Sequence, residues 1–354
     1  MNHTKKLFTG LIVTATLLTG ACAPPSDKTD SEQGESLVIY SNSVGDGRGE
    51  WLSEQAKAAG FTLNFVDLGG GDVMNRLTAE KNNPLADVTF GLNNVYFEKL
   101  KAQDVLEPYT PAWSDDVDAS LGDADTDLFW PIVREPVMLV YNKAAYPSAA
   151  DAPQDWSDLW TKPQFENRYE VQTTLGGATT QMVIAGILAR YPDPEGELGV
   201  SAEGWSQIES YFAKGNPSVP GTDLYARMKS GEVDAGQMWL AGKPAREAQY
   251  DIESEAVEPA IGVPYAVQQV ALVKGTKKTE EAKRFIDWFG SADVQAAWSN
   301  KFFTAPTNRM ALATADQDAI AQTDSFTVQD IDWDLVARNI DKWIEKIELE
   351  YSKG

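Results

Sequence analysis

The feature that most constrains this chain is an alternation of short apolar runs with helix-patterned segments, joined by loops of only a few residues. Leu37-Val-Ile-Tyr40 predicts a buried strand with a polar exit at Ser41-Asn42-Ser43. Arg48 to Ala59 places apolar residues at helical spacing and is closed by Gly60. Phe61 to Val66 alternates as a second strand, and Gly69-Gly-Gly71 opens a helix running to about Lys81. Ala86 to Phe90 predicts a third strand, followed by Gly91-Leu-Asn-Asn94 and a helix from Val95 to Ala102. Strand, helix, strand, helix, strand with short links predicts a parallel sheet covered by helices.

After an acidic, irregular stretch from Pro108 to Asp127, a long extended segment ends in Pro136-Val-Met-Leu-Val-Tyr141. A second block then repeats the pattern: a strand at Tyr169–Gln172, helices at Gly177–Tyr191, Ala202–Ala213 and Asp223–Ser230, a strand at Val233–Met238, and a helix at Gly242–Gln249. Gln268 to Lys274 predicts a further strand, and helices at Thr279–Phe289, Ala292–Asn300 and about Ile331–Tyr351 follow. The chain from Leu37 onward exceeds the size at which one core keeps growing, so two lobes are expected. The extended segments near Ile132–Tyr141 and Pro264–Lys274 are the natural hinges. The expected organisation is residues 37–132 and 266–310 in one lobe, and 133–265 and 311–354 in the other.

The N-terminus predicts export. Lys5 and Lys6 precede an apolar stretch, Leu7 to Leu18, of signal-peptide length and too short to span a bilayer. Gly20-Ala21-Cys22 resembles a bacterial lipoprotein box, with Thr19 where that box usually has Leu. The expectation is a signal peptide at 1–21 and a lipidated Cys22 opening a Pro-, Ser- and acid-rich tether at 22–36. This places the protein on the outer face of the membrane, in a periplasm or on a Gram-positive surface. A diacylated cysteine would be needed for stable anchoring.

The chain carries 30 Lys and Arg against 53 Asp and Glu, a net charge of −23. That disfavours a nucleic-acid partner, because phosphate-backbone binding needs a basic footprint. Net charge says nothing about the sign of a small ligand. The only histidine is His3 and the only cysteine is Cys22, both within the exported leader and anchor. The mature chain therefore lacks the residues for Ser-His-Asp or Cys-His catalysis and for His/Cys metal sites. There is no G-x-S-x-G elbow or Walker A, and no cofactor motif. Asp123-x-Asp125-x-Asp127 begins like a calcium loop, but Leu128 stands where Gly is required. A carboxylate-dependent extracellular hydrolase needs only two acids, so that alternative stays open.

Four segments combine small polar residues at a strand end with a helix start: Ser41-Asn42-Ser43, Gly69 to Asp72, Gly91 to Asn94, and Thr173-Thr174-Leu175-Gly176-Gly177-Ala178-Thr179-Thr180. Free N–H groups at a helix start attract anions. Capping and turn chemistry explain any one such loop equally well, but four on the same sheet edges point to a cleft. Gly45-Asp-Gly47-Arg-Gly49 misses dinucleotide spacing by one residue and is read as a flexible loop from which Arg48 could reach the cleft. Trp113, Trp130, Trp239 and Tyr265 lie near strand ends or hinges, where aromatics either stack on ligands or fill core. Lys243 and Arg246 suit an anion or a solvated helix face, and Arg134 is either a cleft cation or a paired hinge charge. The candidate binding set is Ser41, Asn42, Ser43, Gly71, Asn93, Asn94, Arg134, Thr174, Gly176, Gly177, Ala178, Thr179, Trp239 and Tyr265.

Several longer segments carry a family likeness: the opening LVIYSNS, Asn75 to Asn94, Trp130 to Lys143, Lys229 to Trp239, Gly275 to Ser299 and Thr304 to Leu312. In order and spacing they resemble ABC-transporter solute-binding proteins of the two-lobed group with ferric-, thiamine-, phosphonate- and sugar-phosphate-binding members. The resemblance implies a type II periplasmic-binding-protein-like α/β fold, each lobe a mostly parallel sheet flanked by helices and joined by two hinge strands. It also implies extracytoplasmic capture of a small molecule, without catalysis, and delivery to a permease with its ATPase. Ferric-binding members carry adjacent tyrosines where this chain has Gln237-Met-Trp239-Leu-Ala241. Asn93 and Asn94 match thiamine binders, whereas the Thr174 to Thr179 loop suits a phosphate or phosphonate. A polar, anionic or phosphorylated solute is expected; thiamine, a polyamine or a ferric complex is the alternative.

Overall fold

The computed structural model describes residues 36–352. The expected signal peptide, Cys22 and nearly all of the tether lie outside the described residues.

The chain opens with β1 (Leu37–Ser41), α1 (Arg48–Ala58), β2 (Leu63–Asp67), α2 (Gly70–Ala79), β3 (Val88–Asn93) and α3 (Asn94–Ala102). β1 lies parallel between β2 and β3. β3 is buried along its whole length, as a strand covered on both faces must be. It also runs further than expected. Gly91, read as loop, sits at φ 95° within the strand, where a Cβ would stand 2.6 Å from the side chain of Ser43.

A two-residue strand β4 (Leu106–Glu107) precedes the long β5 (Trp130–Asn142). The second block contains α4 (Asp158–Thr161), β6 (Glu170–Val171), α5 (Ala178–Leu188), α6 (Ala202–Lys214), β7 (Asn216–Pro217), α7 (Leu224–Ser230), β8 (Ala235–Trp239), α8 (Lys243–Tyr250) and β9 (Ser254–Ala256). The return strand β10 (Tyr265–Val273) leads to α9 (Thr279–Phe289), α10 (Ala292–Phe302), β11 (Ala305–Pro306), α11 (Gln317–Ser325) and α12 (Trp333–Glu350).

β5 serves two sheets. Its first half pairs antiparallel with β10 and β11, and from Val137 onward it pairs antiparallel with β8 and β9. β10 closes the first sheet by pairing antiparallel with β3. The sheets are therefore mixed. The expected parallel order holds for β2-β1-β3, whereas the strands that carry the chain out and back between lobes oppose one another. The β5–β10 register slips between Gln268 and Gln269, opposite Pro131 to Val133. Pro131 has no N–H to donate to the ladder, which suits a bulge at that point.

In the first lobe, Ile39, Val88 and Phe90 pack against Phe285, Phe289 and Trp298 of α9 and α10. The other sheet face holds Tyr40, Leu77, Tyr96 and Phe97. The second-lobe core is built around α5, whose residues from Thr180 to Leu188 are all buried. A helix apolar on every side belongs in a core, and this one carries its N-terminus to the lobe boundary. The C-terminal region divides its packing. Ala311, Ala315 and Ile320 pack with Ala296 of α10, while Val336, Ile340, Trp343 and Ile347 of α12 enter the second-lobe core. α12 also reaches back to the first lobe through the Lys99–Asp341 ion pair at 2.5 Å.

Candidate ligand-binding cleft

Two adjoining chambers open near the lobe boundary, one at the crossing of β5 and β10 and one beside it. The interlobe chamber, about 360 Å³, receives Asn42 and Ser43 from the end of β1, Leu68 to Gly70 from the end of β2, and Gly91 and Asn93 from β3. The second lobe contributes Gly177, Ala178, Thr179 and Trp239, and the crossing strands contribute Glu135, Val137, Ala266 and Gln268. The C-terminal ends of β1, β2 and β3 thus open onto one crevice, where open α/β sheets bind ligands. The second chamber, about 410 Å³, lies within the second lobe, bounded by Thr173, Thr174, the 218–224 loop, Gln237 and Arg246. The chambers share Gly177, Ala178, Thr179 and Trp239.

Two helices begin at the interlobe chamber without a side-chain cap: α2 after Gly69 and α5 after Gly177. Their first-turn N–H groups lack intrahelical acceptors, and the positive end of each helix dipole faces the chamber. Gly70 is required by packing, since a Cβ there would stand 2.8 Å from the Tyr96 ring. Tyr96 in turn donates its hydroxyl to the Gly176 carbonyl at 2.7 Å, tying α3 to the second-lobe loop. Arg48, the first residue of α1, lines the same chamber and forms no ion pair among the described residues. Asn93 is 2% exposed; its Oδ1 caps α3 by accepting from Tyr96 N at 3.2 Å, and its Nδ2 has no hydrogen-bond partner among the described residues.

The chamber also holds acids. Glu135 is buried; Oε1 accepts from Ala241 N at 2.8 Å and Oε2 from Gln268 Nε2 at 3.4 Å. Burial pushes its carboxyl above the ordinary range, against the pull of Arg48 and these two hydrogen bonds. Asp67 is also raised, by desolvation and by the nearby Asp46 and Glu50. In the second chamber, Arg246 Nε donates to Asp223 at 2.8 Å and NH2 to Asp46 at 3.2 Å, the latter reaching across from the first lobe.

Of the candidate set, Asn42, Ser43, Asn93, Gly177, Ala178, Thr179 and Trp239 line the interlobe chamber, and Thr174 lines the second. Gly71 and Gly176 meet at the lobe contact, where a Cβ on Gly71 would stand 3.4 Å from the Gly176 carbonyl. Ser41 is fully buried and holds the exit turn, its Oγ accepting from Ser43 N at 2.9 Å. Asn94 lines neither chamber.

Two expectations are corrected. Arg134 faces away from the cleft and is ion-paired with Asp324 of α11. Tyr265 also faces away, donating its hydroxyl to the carbonyl of Thr323. The reason is strand parity: successive side chains point to opposite faces, so Glu135 and Val137 of β5, and Ala266 and Gln268 of β10, take the cleft face. Glu135 and Gln268 were missed for the same reason. The 218–222 part of the second-chamber wall was missed because Ser218-Val-Pro-Gly-Thr222 carries no periodic signal.

Other singled-out residues are structural. Trp113 and Trp130 lie in the first-lobe core and donate Nε1 to Ile286 and Tyr109 carbonyls. Lys243 pairs with Glu247 on its own helix. Asp123 is buried against Lys101 at 2.7 Å. Neither chamber is lined by a tyrosine, and among the described residues no cluster of His, Cys, Asp and Glu is placed to hold a metal.

The family model for bacterial extracellular solute-binding proteins matches residues 46–296. A Sinorhizobium fredii protein, named as a probable ABC transporter periplasmic-binding protein, is 38% identical over 320 residues, covering 89% of this chain and 86% of that one. A Salmonella typhimurium periplasmic protein named for 2-aminoethylphosphonate binding is 26% identical over 336 residues, covering 89% and 94%. Among solved structures, the periplasmic binding protein P5PA superposes with a TM-score of 0.72 at 23% identity, over 88% of this chain and 99% of that one. AfuA of Actinobacillus pleuropneumoniae, with fructose-6-phosphate bound, gives 0.72 at 20% identity, over 89% and 100%. These two likenesses speak for the fold, a two-lobed periplasmic-binding-protein architecture. The chain belongs to the bacterial extracellular solute-binding protein family.

Proposed function

We propose that this protein is the substrate-binding component of an ABC importer, and that its solute carries an anionic phosphate- or phosphonate-like head seated in the interlobe chamber. The observation that carries the reading is the convergence of two uncapped helix N-termini, α2 from one lobe and α5 from the other, beside Arg48. Donors from both lobes on one anion make binding and closure the same event, since the ligand gains contacts only when the lobes meet. β5 and β10 are the hinge strands of that closure. The relative named for ABC transport supports the role, and the relative named for 2-aminoethylphosphonate and the fructose-6-phosphate-bound neighbour support the ligand chemistry. The protein acts outside the cytoplasm by capture, without catalysis, and hands its solute to a permease with its ATPase. A lipid on Cys22 holds it at the membrane; Cys22→Ala would release it into the soluble fraction.

A thermal-shift panel of phosphates, phosphonates, sugar phosphates, thiamine, polyamines and ferric citrate tests the ligand class. A binder present at a hundred times its dissociation constant adds about 2.7 kcal/mol of stability. The expected result is a shift with phosphate- or phosphonate-bearing compounds. A shift confined to thiamine, polyamines or ferric citrate would overturn the anionic reading while leaving the transport role in place.

A further inference from the structure

We infer that the solute also carries an ammonium group, and that Glu135 receives it. This rests on the anion-binding reading above and extends it to the other end of the ligand. Five carboxylates among the described residues are more than nine-tenths buried: Asp87, Asp123, Glu135, Glu170 and Asp234. Four have a cation in contact, namely Lys278, Lys101, Arg227 and Arg168, at 2.5 to 3.3 Å. Glu135 alone of the five has none, and it is the one that faces the interlobe chamber.

A buried carboxylate without a counter-charge is costly, so it either takes up a proton or is relieved by a cation that binds beside it. Glu135 accepts only two hydrogen bonds, one of them long, and a carboxylate has room for about four. Arg48 lines the same chamber but makes no ion pair with Glu135. A cation and an anion that form no ion pair thus line a single cavity of about 360 Å³, although Arg48 is near enough to oppose the rise of the Glu135 carboxyl. The proposed solute is a small zwitterion, with its anionic head on Arg48, Asn93 Nδ2 and the helix N-termini, and its ammonium on Glu135. Asp67 adds negative charge to the same chamber wall.

The test is isothermal titration of the full protein with 2-aminoethylphosphonate and with ethylphosphonate, which share the phosphonate and differ in the ammonium. Wild type is expected to prefer the amine-bearing compound by at least about tenfold, the low end for a buried charge pair. Glu135→Gln, which keeps the acceptor for Ala241 N, is expected to reduce that ratio to near one. Equal binding of both compounds by wild type would overturn the inference and leave the anion site standing. Retention of the preference by Glu135→Gln would overturn it as well, by assigning the ammonium to another group. Binding of neither phosphonate would overturn the inference, and the anion reading would fall with it if the phosphates and sugar phosphates of the thermal-shift panel also gave no shift. The wild-type ratio needs no variant, so a folding defect in Glu135→Gln cannot rescue the proposal.

Discussion

The two chambers share a wall but treat their arginines differently. In the second chamber Arg246 is held between Asp223 and Asp46, its charge answered from both lobes. In the interlobe chamber Arg48 has no carboxylate partner among the described residues, and its guanidinium lies 5.5 Å from the Phe302 ring centroid. A cation already matched by carboxylates gains little from an anionic ligand, whereas an unmatched one gains a full charge-assisted contact. The helix starts repeat the contrast. α6 and α12 are capped by Ser201 and Asp332, while α2 and α5, which open on the cleft, have glycine at the cap position. α9 and α10 also start without a side-chain cap, away from the cleft, so what distinguishes α2 and α5 is that their uncapped starts lie on the chamber wall.

The two chambers should differ most at their arginines. Arg48→Ala is expected to weaken phosphonate binding by roughly 10- to 100-fold, the loss of one hydrogen-bonded charge, while Arg246→Ala changes it by less than about threefold; titration calorimetry reads both. Equal losses would erase the distinction between chambers. Gly177→Asp sharpens the contrast in helix starts. Gly177 has φ −72°, and a Cβ there meets nothing closer than Thr180 Oγ1 at 3.7 Å, so the substitution fits. It should install a cap and stabilise the ligand-free protein by roughly a few tenths of a kcal/mol, while lowering anion affinity at least about tenfold. A variant that is more stable and still binds would refute the idea that the missing cap is reserved for a ligand.

Smaller effects are expected at the lobe contact and the floor. Tyr96→Phe removes the hydroxyl that bonds the Gly176 carbonyl, and affinity should fall by roughly threefold to tenfold. Glu135 supplies a pH effect whose sign is fixed. Its folded-state pKa is raised by burial, so the folded state holds that proton more tightly than the unfolded state. Stability from this group is therefore greatest below the ordinary glutamate pKa and declines as pH rises through the raised value. At neutral pH the ligand-free Glu135→Gln protein should melt higher, by roughly 2 °C or more, and the difference should vanish below about pH 4. A lower melting temperature at neutral pH would mean that the buried carboxylate is already compensated.

Much of the fold was legible because its signals are local. Leu37 to Asn94 alternates strand and helix periods with glycine punctuation, and the loops at strand ends follow from that alternation. What was not legible depends on which face a strand presents. Arg134 and Glu135 are neighbours in sequence, yet one meets Asp324 and the other faces the chamber. Tyr265 and Ala266 divide in the same way. A one-residue choice of parity reverses every assignment on a strand, and strands buried on both faces carry no polar alternation to reveal it. α11 escaped notice because Gln317 to Ser325 offers few apolar positions. The antiparallel return of β5 and β10 is a property of chain path, which no local pattern encodes.

The most direct test of the central claim is an amide NMR titration of the protein with 2-aminoethylphosphonate. If the anionic head sits between the lobes, the largest shifts should fall on the first-turn amides of α2 and α5, at Gly70, Gly71, Ala178 and Thr179, from both lobes at once. Shifts concentrated instead on Ser218 to Asp223 and Arg246 would place the anion in the second chamber and contradict the account.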